Sequence, residues 1–92
     1  MQKANAVITV MGEDKVGIIA RVSSILSDKN VNIVNITQTI MQSFFTMVMM
    51  VDISEVNTDF ELLAKDLEVA GEDLGVQIRV QHEAIFNSMH RL

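Results

Sequence analysis

From Ala4 to Met11 the chain reads ANAVITVM, apolar and β-branched with little polar interruption. That is the pattern of a strand covered on both faces, and it belongs in the middle of a sheet. Beyond Gly17 the period changes. Ile18, Ile19, Val22, Ile25 and Leu26 recur at helical spacing, while Arg21, Ser24, Ser27 and Asp28 fall on the other side, which predicts an amphipathic helix of about four turns. Asp14 is the expected N-cap. Lys29 complements the C-terminal end of the helix dipole, and Asn30 is suited to the left-handed conformation that ends helices.

Two β-branched runs follow, VNIVNITQTIMQ from Val31 and FFTMVMMVDI from Phe44, broken at Gln42 and Ser43. They predict a hairpin. In the second run Phe45, Met47, Met49, Val51 and Ile53 share one face, and Phe44, Val48 and Met50 make the opposite face largely apolar too. One layer of helices covers one side only, so the other side calls for a second subunit or the C-terminal tail. Thr58 and Glu61 have capping-box spacing, and Phe60, Leu63, Leu67, Ala70 and Leu74 form an apolar stripe that stops at Gly75, predicting a second helix. Gly71 inside it implies either a loosened last turn or close packing on the sheet. Val76, Ile78 and Val80 then alternate with Gln77, Arg79 and Gln81, as in a half-exposed edge strand. His82 to Leu92 can form a short helix with Ile85, Phe86, Met89 and Leu92 as its apolar side, docked on the uncovered sheet or on a neighbour.

The order strand, helix, strand, strand, helix, strand with right-handed crossovers gives a ferredoxin-like α+β fold. Its antiparallel sheet is ordered 4-1-3-2, with both helices on one face. With 92 residues the chain is a single domain, residues 1–82 as core and 83–92 as tail, and oligomerisation would add to the limited surface it can bury alone. Hydrophobic residues make up 49% of it, which argues against disorder. No apolar run approaches the roughly 20 residues that span a bilayer. The chain opens without a basic and apolar leader and has no cysteine, so a soluble, cytoplasmic protein is expected.

A net charge of -5, scattered basic residues and the absence of Tyr and Trp leave neither the cationic surface nor the stacking platforms that nucleic acid requires. Candidate chemistry concentrates in GEDKVG, Gly12 to Gly17. Glycines there let backbone N–H groups approach a ligand, and the unpaired N–H groups of the following helix favour a carboxylate or phosphate oxygen. A tight connection carrying a solvated charge run explains the same residues without a ligand.

The run ITVMGEDKVGIIARVSSILSDKNVNIVNITQTI resembles the start of an ACT domain. The segments FFTMVMMVDIS and VQHEAIFNSMHRL resemble the small stand-alone ACT-domain proteins of bacteria and archaea, so the resemblance covers essentially the whole chain. It implies a regulatory module, not an enzyme, that binds an amino acid or similar small molecule at an interface between two domains, with no cofactor. Carried over position by position, it puts the ligand between Gly12, Asp14, Lys15, Val16, Gly17 and Ile18 on one side and Asn32, Ile33 and Asn35 at the start of the second strand on the other. The carboxylate would meet the helix-end N–H groups of Gly17 and Ile18, and the ammonium would meet Asp14 or the Asn32 side-chain carbonyl. Lys15 either binds the carboxylate or points into water, and Asp14 and Asn32 can equally be a cap and a turn residue. The implied assembly is a homo-oligomer, a dimer first. Most ACT domains are attached to a catalytic or DNA-binding partner, and this chain carries none, so a separate protein partner would receive the signal.

Other function classes fit less well. An acylphosphatase-like hydrolase needs an Arg in a phosphate-cradling loop, whereas Arg21 sits a turn further along on the polar side of the helix. His82, Glu83 and His90 form only a loose cluster, without the spacing of a helical metal site. A purely structural module, assembling through its second apolar face, remains the chief alternative.

Overall fold

The structure is a computed structural model that describes residues 5–13 and 17–82. Its elements are β1 (Asn5–Glu13), α1 (Ile18–Asp28), β2 (Asn32–Met41), β3 (Phe44–Asp52), α2 (Phe60–Leu74) and β4 (Val76–His82). They form one antiparallel sheet ordered β2-β3-β1-β4, the expected 4-1-3-2 order read from the other edge. The tail helix expected over 83–92 lies outside the described residues.

Directly paired residues share a face of the sheet. Ala6, Ile8 and Val10 of β1 align with Val51, Met49 and Met47 of β3, and all six are buried beneath the helices. From α1 come Ile18, Val22 and Leu26, and from α2 Leu63, Leu67 and Ala70. On the opposite face Val7 of central β1 is buried, while Met11, Val48 and Phe44 are exposed. Apolar residues on both faces of β3 are thus as expected, with one face closed by helices and the hairpin end of the other open.

The helix ends differ from their expected form. Gly17, at φ 95°, is the N-cap of α1 in place of the expected Asp14, which lies outside the described residues, and it supplies no side-chain bond; the helix has 11 residues and about three turns instead of four. Asp59 is the N-cap of α2, again without a side-chain bond, so the Thr58–Glu61 capping box is not formed. Its physical advantage is small enough for tertiary packing to set the helix start.

The stops behave as expected. Asn30 is left-handed at φ 61°, with Asn30 N–H donating to Ser27 and Val31 N–H to Leu26, the paired bonds of a Schellman ending. The loop after β3 is tied to the same end: Asn57 Nδ2 donates to the Asp28 carbonyl at 2.9 Å, and Asn30 Nδ2 donates to the Glu55 carbonyl at 2.9 Å. Gly75, at φ 75°, closes α2.

Candidate functional site

Gly12 lies within β1, opposite Phe45 on one side and Val76 on the other. A Cβ there would stand 2.7 Å from Val76 Cγ1, so packing accounts for this glycine. Gly17 is different. Among the described residues nothing lies within 4 Å of the place its Cβ would take, and its positive φ is one that L side chains rarely adopt. Behind it α1 begins without a side-chain cap and without an acidic residue in its first turn. The first bond into the helix is Arg21 N–H to the Gly17 carbonyl, at 2.9 Å, and the N–H groups of the first turn precede it. Such a terminus favours an anionic oxygen. Asp14, Lys15 and Val16 lie outside the described residues.

Asn32, Ile33 and Asn35 sit at the other end of the sheet. Asn32 pairs with Asp52 of β3, whereas Gly12 pairs with Phe45. Those β3 residues are seven positions apart, roughly 23 Å along a strand. One chain therefore gathers Gly12, Gly17 and Ile18 at one end and Asn32, Ile33 and Asn35 at the opposite end. A bulge separates Ile33 from Asn35, and Asn35 Oδ1 accepts a bond from the Ile36 N–H at 2.8 Å, so its carbonyl oxygen is engaged locally.

β2 is an edge strand, and every one of its ten residues is exposed. Ile33, Ile36 and Ile40 align with Val51, Met49 and Phe45 and so lie on the helix side of the sheet, 38%, 40% and 55% exposed. Ile19, expected in the buried stripe of α1, is 39% exposed. It lies roughly 100° around the helix from Ile18, only about 20° beyond Leu26, so its exposure comes from its place in the first turn of α1 and not from its side of the helix. No signal in the apolar pattern separates these isoleucines from core residues, because exposure at an edge depends on which strand is last in the sheet.

Arg21 stands on the flank of α1 that faces α2, donating to Asp73 Oδ2 at 3.1 Å. A second interhelical pair joins Lys29 Nζ to Asp66 at 2.9 Å. Arg21 is thus a surface residue of the interhelical seam. His82 meets the Phe60 ring edge-on, with centroids 6.1 Å apart. Among the described residues no group of three or more His, Asp and Glu is arranged to hold a metal ion, and no described helix is long and apolar enough to cross a membrane.

A βαββαβ chain whose four strands form one antiparallel sheet ordered β2-β3-β1-β4 has the ferredoxin-like arrangement. The ACT domain family model matches residues 5–81, and the chain belongs to this family. It is 52% identical over 89 residues to a UPF0237 protein of Methanocaldococcus jannaschii, covering 97% of this chain and 99% of that one. Among solved structures, an ACT domain protein from Streptococcus pneumoniae superposes with a TM-score of 0.79 at 40% identity, over 92% of this chain and 96% of the other. The regulatory subunit of aspartate kinase from Thermus thermophilus shares the fold at a TM-score of 0.65 and 21% identity, over 85% of this chain and 50% of that one.

Proposed function

We propose that this protein is a regulatory module that senses an amino acid at a site completed by a second copy of the chain and acts on a separate partner protein. The observation that carries the reading is the first turn of α1, which begins at a left-handed Gly17 without a side-chain cap and without an acidic residue of its own. The amino acid's carboxylate is received there by backbone N–H groups. The ammonium is received by Asp14 or by the side-chain carbonyl of Asn32.

Asn32 comes from the second copy. β2 is a fully exposed edge, a surface suited to strand pairing. Antiparallel pairing of two β2 strands about a twofold axis near their middle places Asn32 of one beside Met41 of the other. Met41 lies at the same end of the sheet as Gly12, since it pairs with Phe44 and Gly12 with Phe45. The two halves that one chain holds roughly 23 Å apart thereby meet across the dimer. A domain of the same fold in a regulatory subunit of aspartate kinase is consistent with a regulatory role, and the cytoplasm is the proposed location.

Equilibrium dialysis of the intact protein against each common amino acid tests the reading. Binding of at least one is expected, with loss in Asn32→Ala and in Gly17→Val. If no amino acid binds, the apolar face and the exposed edge favour the alternative, a structural assembly module without ligand. Native co-purification with mass spectrometry would identify the partner protein.

A further inference from the structure

The exposed isoleucines are not scattered. Arg21 and Lys29 mark the flank of α1 turned toward α2 through their pairs with Asp73 and Asp66. Ile19 therefore lies on the opposite flank, toward β2, because α2 packs on β4 at the far edge of the sheet. Ile33, Ile36 and Ile40 stand on that same helix-side surface of β2, and with Ile19 they make an apolar strip 38% to 55% exposed. Gln38, which aligns with Met47, is the one polar residue among the β2 side chains on this face. Ile19 belongs to the first turn of α1, beside the N–H groups assigned above to the ligand carboxylate.

We infer that the ligand is an α-amino acid with an aliphatic side chain, leucine, isoleucine or valine in class. This rests on the amino-acid reading given above and extends it to the side-chain subsite. When two β2 strands pair, Ile33 of the second copy comes opposite Ile40 of the first, close to the turn that holds Ile19. A side chain leaving the Cα of a ligand anchored at Gly17 then meets isoleucine from both copies. No charged residue of β2 stands in this strip, so β2 offers a charged side chain no partner to offset its desolvation. An aliphatic one would remove water from the strip.

Thermal unfolding of the full chain with saturating leucine, isoleucine, valine, serine, aspartate and lysine tests the class. A rise of about 5 °C or more is expected with the three aliphatic amino acids and none with the other three. Ile19→Ser should weaken aliphatic binding by about tenfold or more, while Ile19→Leu retains it. Sedimentation of both variants checks that assembly is unchanged. A larger shift with serine, aspartate or lysine overturns the side-chain class and leaves the amino-acid reading intact. No shift with any common amino acid overturns both.

Discussion

A Cβ on Gly71 would stand 2.8 Å from the carbonyl oxygen of Val76 and 3.0 Å from Ile78 Cγ1. The glycine is what lets α2 lie directly on the start of β4. Of the two roles its position in a helical stripe suggested, close packing is the one the fold uses. Alanine at an ordinary helix position gains up to about 1 kcal/mol over glycine. Here the nearest atom is backbone and does not move aside as a side-chain tip would. Gly71→Ala is expected to destabilise the protein by about 1–3 kcal/mol in urea unfolding, and a stabilised variant would show that the helix can lift off β4.

Gly12 and Gly17 are predicted to fail for different reasons. Gly12→Ala drives a methyl group into Val76 and should cost about 1–3 kcal/mol. Gly17→Ala meets no atom of the described residues but keeps an unfavourable φ of 95°, for about 1–3 kcal/mol of backbone strain. Asparagine tolerates that region better, so Gly17→Asn should recover part of the loss while Gly12→Asn recovers none. Denaturant midpoints of the four variants give the comparison.

Met49 is fully buried against Ile8, whereas Met41 is 69% exposed at the hairpin. Met49→Ala leaves a cavity in the core and is expected to lose about 2–5 kcal/mol. Met41→Ala should stay within about 0.5 kcal/mol. Equal losses in calorimetry would mean that the open face is covered at Met41 in solution.

The side chains of Arg21 and Asp73 are 44% and 59% exposed, and a pair so wet contributes little. Arg21→Ala should lower stability by less than about 1 kcal/mol and leave amino-acid affinity unchanged. Acyl-phosphate hydrolysis that depended on Arg21 would instead revive the hydrolase alternative.

A lysine at the exposed edge opposes strand pairing. Ile36→Lys is expected to convert the proposed β2-paired dimer to monomer in light scattering at micromolar concentration and to abolish amino-acid binding with it. Retained binding by a monomer would show that the site lies within one chain.

The chain's own pattern determined the six elements, the sheet order and the core residues of α2, because periods of 2 and 3.6 residues are set by backbone geometry and by which side is kept from water. The stops at Asn30 and Gly75 were legible for the same local reason: left-handed φ selects few residue types. Tertiary structure alone decided the rest. Asp14 and Thr58 have good capping chemistry, yet Gly17 and Asp59 begin the helices, since packing on the sheet fixes where each helix starts. Ile19 reads as part of the buried stripe of α1 and is exposed, because a pattern records which positions are apolar and not what the fold lays over them. Gly12 shares the motif with Gly17, and only the pairing of β1 with β4 shows that it makes room for Val76. The separation of Asn32 from the glycine loop is likewise a property of strand direction, which residues distant in sequence impose on one another by pairing.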